Sequence, residues 1–249
     1  MRPRENELID YSVIRYDSNN NVFVKDHKFT SIECALDIYL NDEKLMTSFC
    51  SPGDQEDLVV GILAQMGKID SIDDIISLNI DESSAKVIAK VNQPQPKQAE
   101  KEIKFYAKDI LACADKLLGE LAATHDITNG VHSGVIFDGK VIDEQDNRSL
   151  KDKILVFRED IGRHNVFDKL YGWALRNKVD ITDKIIIFSG RCSSEMMMKL
   201  GRMGIKAVAA KSVPTTFSIN LAKKLGLTLV ARMAPASFCI YTNPQRIII

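Results

Sequence analysis

The chain is 249 residues long and 45% apolar, enough to bury a core in one large domain or two modest ones. Its 33 lysines and arginines against 34 acids leave a formal charge of −1, which argues against a nucleic-acid or membrane surface and leaves room only for a local basic pocket. No apolar run approaches a membrane span and the start "MRPRENELIDYSVIRYD" lacks the apolar core of a signal peptide, so a cytoplasmic protein is expected.

The first legible element is "ALDIYLNDEKLMTSFCS", two apolar runs about an Asn-Asp turn, which predicts a hairpin. "SPGDQEDLVVGILAQMG" follows as a helix, with Ser51 as N-cap, Pro52 at the first helical position, acids in the first turn, and Leu58, Ile62 and Met66 along one face. "SLNIDESSAKVIAKV" reads as a second hairpin. Prolines, glutamines and charges in "VNQPQPKQAEKE", residues 91–102, interrupt every hydrophobic period and mark a linker or exposed loop. It divides a mixed α+β domain, residues 1–102, from a second domain, residues 103–249.

In the second domain "AKDILACADKLLGELAATHD" predicts one helix with Ile110, Ala114, Leu117, Leu118 and Leu121 on a face, and "TNGVHSGVIFDGK" a turn and a strand. From Ile154 onward strands ("ILVFR", "KIIIF", "AVAA", "LTLVA") alternate with helical patterns, which implies βαβ units, a largely parallel sheet and an α/β fold. "SFCIYT" and "RIII" add strands.

Unusual polar residues fall repeatedly after those strands: "REDIGRHN", "SGRCSSEM", "KSVPTT" and "RMAPAS". In open α/β sheets ligands bind beyond the carboxyl ends of the strands. If the strands are neighbours, Arg163, Arg191, Lys211 and Arg232 surround one crevice, a pocket for an anion. Guanidinium groups and the helix N-termini after Gly162, Gly190 and Pro214 suit phosphate oxygens. Glu159, Asp160 and Glu195 would then accept from a sugar hydroxyl or base amino group, or orient the arginines. The alternative makes Glu159 and Asp160 caps and dipole partners, and His164 a hydrogen-bonded structural histidine. Met196, Met197 and Met198 read as ordinary helix residues, and no metal site is expected.

The five cysteines contain no C-x-x-C pair, which argues against a disulfide framework or structural zinc site. Cys34, Cys113 and Cys239 read as buried small hydrophobes.

"GVH", "REDIGRHNVFDKLYG", "SGRCSSEM", "SVPT" and "YTNPQRI", with "TSFCSPGDQEDLVVGILAQMG" upstream, resemble the FdhD family of formate dehydrogenase accessory proteins from about residue 36 onward. The resemblance implies a cytidine-deaminase-like C-terminal domain and a homodimer. It also implies a sulfurtransferase that moves persulfide sulfur from a cysteine desulfurase to the molybdenum cofactor of formate dehydrogenase, in its bis-guanine-dinucleotide form. The zinc signature of deaminases is missing, so deamination is not expected. By resemblance the cofactor-binding segment is Arg232, Met233, Ala234, Pro235, Ala236 and Ser237. Gly130, His132, Arg163, His164, Asn165, Ser189, Arg191, Ser194 and Glu195, which share the expected crevice, join it as contacts of the cofactor or a guanine nucleotide.

The family's Cys-Gly-x-Cys-Gly loop is replaced by "KVNQPQPKQAEKEIKFYAKD", which has no cysteine. Cys192, beside Arg191 at a helix N-terminus, is the physical candidate for a relocated thiolate, with Cys50 at the hairpin rim second; packing is the other reading of Cys192. Two functions stand: a sulfurtransferase using another cysteine, or a carrier of the nucleotide-bearing cofactor without sulfur chemistry.

Overall fold

The computed structural model describes residues 7–81, 83–91, 103–141 and 148–249. Apart from Val91, the expected linker therefore lies outside the described residues. The chain opens with an antiparallel ribbon, β1 (Leu8–Asp17) and β2 (Val22–Ser31), that sequence patterning does not announce because both faces are exposed, Ile14 and Phe23 among them. Next come β3 (Cys34–Leu40), β4 (Glu43–Cys50), helix α1 (Gln55–Gln65), β5 (Ile75–Ile80) and β6 (Ser84–Ala89). Both expected hairpins form, and they join into one sheet in the order β4-β3-β6-β5.

Helix α1 starts later than its sequence suggests. Asp54, in the left-handed region at φ 56°, is the N-cap, and Ser51 instead accepts a hydrogen bond from the Ile161 amide (3.1 Å). The predicted cap is a link between the two halves of the molecule.

The second half contains β7 (Phe105–Tyr106), α2 (Ala107–Lys116), α3 (Ala123–Thr128), β8 (His132–Phe137), α4 (Leu150–Lys153), β9 (Ile154–Asp160), α5 (Arg163–Arg176), β10 (Ile185–Phe188), α6 (Ser194–Met203), β11 (Ala207–Ala210), α7 (Thr216–Lys224), β12 (Thr228–Ala234), β13 (Ser237–Thr242) and β14 (Ile247–Ile248). The single helix expected over residues 107–126 is broken: a π-turn at Leu117–Leu121, with Gly119 inside it, separates α2 from α3.

The main sheet has the order β13-β12-β11-β10-β8-β9. Only β10, β11 and β12 are paired in parallel; β9 runs in the same direction, but β8 is inserted antiparallel between it and β10, and β13 closes the other edge antiparallel to β12. The largely parallel sheet expected from strand-helix alternation is thus a mixed one. β14 leaves this sheet and pairs with β7.

Strand periodicity divides the core into two layers. Ile186, Phe188, Val208 and Ala210 face α5, α6 and the N-terminal elements, whereas Ile185, Ile187, Ala207 and Ala209 face α2. Met196 and Met197 are buried in the first layer and Met198 is exposed.

The halves meet where α1 crosses α5. A Cβ on Gly61 would lie 1.9 Å from the Asp168 carbonyl oxygen, and one on Gly172 would lie 1.8 Å from that of Asp57, so the helices touch backbone to backbone. Asp57, 1% exposed, is gripped across this contact by Arg158 (2.8 and 2.5 Å) and Arg176 (2.6 Å).

Candidate functional site

Because β8 runs opposite to its neighbours, its first residue lies with the carboxyl ends of the strands beside it. His132 pairs with Asp160, Gly134 with Phe188, and Phe188 with Ala210. The loops along this edge are tied together. Ser189 donates its amide to the Ser133 carbonyl (2.9 Å) and accepts the Ser133 amide on its hydroxyl (2.8 Å). Lys211 donates to the Phe188 carbonyl (3.0 Å), and Met233 to that of Lys211 (3.1 Å). Arg163, Arg191, Lys211 and Arg232 therefore rise from successive loops on one edge, the first after β9 and the others after β10 and β11 and on β12. All four are exposed, and none is ion-paired with a described residue.

The segment 232–237 has strained geometry. Arg232 (φ 59°) and Ala236 (φ 63°) are both left-handed, and the β12–β13 register slips between Ala231 and Ala234. A bulge with a non-glycine left-handed residue re-aims a side chain at some cost and persists where the surroundings enforce it. Met233, Ala234 and Pro235, with Lys211, line a cavity of about 330 Å³ whose other wall is α2 (Leu111, Ala114, Asp115) and Gly119.

Two of the three expected helix N-termini are open. Neither α5, capped by Gly162, nor α6, capped by Ser193, has a side-chain cap, and the Ser193 hydroxyl is buried without a hydrogen-bond partner among the described residues. At α7 the site is closed, because Thr215 and Ser218 cap each other's backbone amides.

The other predicted contacts divide. Gly130 packs on Ser31, whose hydroxyl donates to Thr128 (2.9 Å). His132 lies by Phe188 and Gly190; burial and Arg163 push its pKa down. His164 sits 3.2 Å from Glu195, and its pKa is lowered by burial, with Lys199 adding to that effect and Glu195 opposing it. Ser194 is the first residue of α6. Glu159 accepts from the Ser133 hydroxyl (3.0 Å), and burial raises its pKa. Asn165 is not free for a ligand, since its amide donates to the Phe49 carbonyl and to Asp160 (both 2.8 Å).

Asp160 shows why charge gathers in "EDIGRHN". It is fully buried, as is Lys169, and their ion pair is 2.6 Å long. Asp160 also accepts from the amides of Ser51 (3.1 Å) and Gly162 (2.8 Å), while Lys169 donates to the Glu159 carbonyl (3.1 Å). The motif clamps the N-terminal sheet onto the crevice. Sequence reasoning missed Lys169; the available signal was a lysine set among Val166, Phe167 and Leu170 on the buried side of α5.

The cysteines correct two expectations and decide a third. Cys192 is 1% exposed and packed in the core, which bears out its packing reading, and burial pushes its thiol up to about 12, which disfavours the thiolate considered for it beside Arg191. Cys50, expected at a rim, is buried. Cys239, expected to be buried, is exposed on β13. Cys113 is buried as expected, and Cys34 is half-buried.

The fold defines a mixed α/β protein whose carboxyl sheet edge, the edge at which open α/β sheets bind their ligands, carries four cations that pair with no described residue. Comparison with known proteins gives a narrower answer. The family model of FdhD/NarQ matches residues 31–104 and 88–248, and the chain belongs to the FdhD/NarQ family. It is 32% identical to the sulfur carrier protein FdhD of Geobacillus kaustophilus, over 92% of this chain and 94% of that one. The FdhD of Staphylococcus haemolyticus is likewise 32% identical, over 95% of each chain. A candidate formate dehydrogenase accessory protein from Desulfotalea psychrophila, known from a crystal structure, shares the fold, with a TM-score of 0.81 and 24% identity over 97% of this chain and 99% of that one.

Proposed function

We propose that this chain is a formate dehydrogenase accessory protein that binds the molybdenum cofactor in its bis-guanine-dinucleotide form, as substrate, and handles sulfur for it. The observation that carries the binding half is the row of four cations on one sheet edge that pair with no described residue, flanked by the open N-termini of α5 and α6. Adjacent strands lie about 4.8 Å apart, so the four steps from β9 to β12 span roughly 19 Å. A row of that length suits a ligand with several separated phosphates better than a single phosphate. Arg191 and Arg232 offer guanidinium groups to phosphate oxygens, the first-turn amides of α6 add neutral donors, and Glu195, exposed, is an acceptor for a base amino group.

The sulfur half rests on the kinship with proteins named sulfur carriers. A cysteine desulfurase as donor, formate dehydrogenase as recipient, a homodimer, a cytoplasmic setting and a cytidine-deaminase-like C-terminal half belong to the same reading. Among the described residues no helix is long and apolar enough to cross a membrane.

The test is functional. Formate dehydrogenase is produced in cells lacking their own family member, with this chain or without it. Activity only in its presence is expected; equal activity in both would overturn the proposal.

A further inference from the structure

With Cys192 in the core, sulfur chemistry needs another thiol, and the N-terminal sheet holds a pair of them. Cys34 and Cys50 face each other across the antiparallel β3–β4 ladder, with their Sγ atoms 3.6 Å apart. Cys34, half-buried, donates to the Cys50 carbonyl (3.2 Å) and accepts from the Gln55 amide nitrogen (3.4 Å). Cys50 is the last residue of β4, next to Ser51, whose amide is held by Asp160. Asp160 in turn pairs across β8–β9 with His132. The two thiols thus stand at the same edge as the candidate crevice, behind the clamp that joins the halves.

We propose that Cys34 and Cys50 form a dithiol centre at which Cys34 takes up sulfane sulfur and Cys50 releases it as sulfide. The inference rests on the sulfur-handling half of the proposed function and names the residues that perform it. In the first step the Cys34 thiolate attacks the terminal sulfur of a donor persulfide; the new S–S bond forms as the donor thiolate leaves, with no net oxidation. In the second, Cys50 attacks the inner sulfur, the original Cys34 Sγ. The Cys34–Cys50 disulfide forms and the sulfane sulfur, reduced by two electrons, departs as hydrosulfide. The two cysteines supply those electrons. A dithiol reductant then resets the pair, becoming a disulfide itself.

Geometry favours this division of labour. An attacking atom in van der Waals contact with its target needs only a short approach, and antiparallel partners have Cα separations within the range a disulfide accepts. Burial, reinforced by Cys34 and Asp160, raises the pKa of Cys50, so Cys50 stays unreactive until its proton passes to the departing sulfide as the Cys34–Cys50 bond forms. Cys34, the less buried member, is the one a donor protein reaches.

The test uses the full chain, first reduced, then treated with inorganic polysulfide or with a cysteine desulfurase and cysteine. Released sulfide, free thiols and peptide masses are followed. In the wild type, sulfide release accompanied by loss of two thiols and a linked Cys34–Cys50 peptide is expected. Cys50→Ser should hold added sulfur on Cys34 without releasing it, and Cys34→Ser should do neither. Undiminished release from Cys34→Ser, or sulfur confined to Cys239, would overturn the proposal. The site of sulfur separates the two readings. Sulfur taken up and passed on at another cysteine sinks this inference alone, whereas no sulfur taken up by any cysteine of the wild type sinks the sulfur-handling half with it.

Discussion

Replacing Asp160 by Asn removes a single charge from the centre of the clamp and leaves the side-chain volume almost unchanged. Lys169 then keeps its bond to the Glu159 carbonyl but loses a carboxylate 2.6 Å away, at a position where neither group is exposed to solvent. Removing one partner of a buried ion pair typically costs about 3–5 kcal/mol, because the other charge stays buried and uncompensated. The surviving carbonyl contact and the oxygen that Asn retains for the Ser51 or Gly162 amide favour the lower end, about 3 kcal/mol. In a chain of this size that lowers Tm by roughly 6–12 °C. Urea unfolding of wild type, Asp160→Asn, Lys169→Met and the double variant checks both the loss and its origin. The double variant should be more stable than the sum of the single losses implies, by about 1–3 kcal/mol. Additive losses, or a loss below about 1 kcal/mol for Asp160→Asn, would refute the clamp.

Gly172→Ala and Gly61→Ala, which in an open helix would each stabilise by up to about 1 kcal/mol, should instead destabilise by about 1–3 kcal/mol or more, since the new methyl meets a carbonyl across the α1–α5 crossing; thermal melts give the sign. Burial lowers the pKa of His132 and His164, so the unfolded chain takes up protons near pH 6.5 that the folded chain resists. Stability contributed by these groups is present above that pH and is lost as pH falls through it. Asp168, pushed up to about 6 by burial, works in the opposite direction, losing stability as pH rises from its unfolded value through 6. Comparing Tm at pH 7.5 and 5.5 for wild type and His132→Gln isolates the first effect, and the variant should lose less on acidification. Under native conditions iodoacetamide should label Cys239 and leave Cys113 and Cys192 untouched until urea is added, with mapping by mass spectrometry; rapid native labelling of Cys192 would contradict its place in the core.

Local patterning carried much of the fold. The β3–β4 and β5–β6 hairpins, the strands after Ile154 and the helices between them follow from period and turn residues. The antiparallel insertion of β8 does not, because pairing partners are chosen by the tertiary core and nothing in "HSGVIF" encodes strand direction. The candidate crevice was legible as four segments bearing Arg163, Arg191, Lys211 and Arg232, and β8 joins that edge without displacing them. Asn165 and Asp160 were legible as unusual but not as interdomain ligands, since the Phe49 carbonyl and Ser51 amide they meet lie more than 100 residues upstream. The dithiol was hidden by one bulge. Near the turn Leu40 pairs with Glu43 and Tyr39 with Lys44, but beyond it Ile38 pairs with Met46. Without that one-residue slip Cys34 would oppose Phe49, not Cys50. For Cys192 the local rule located a helix N-terminus correctly and failed because the residue before the cap turns inward beneath it.

Calorimetric titration of the protein with GDP, for the wild type, Arg191→Ala and Arg232→Ala, tests the anion crevice most directly. Each arginine offers a charge-assisted contact worth on the order of 1.5–3 kcal/mol, about 10- to 150-fold in affinity. Saturable binding by the wild type is expected, weakened at least about tenfold in each variant and reduced by added salt. Absence of binding, or equal affinity in all three proteins, would contradict the crevice assignment.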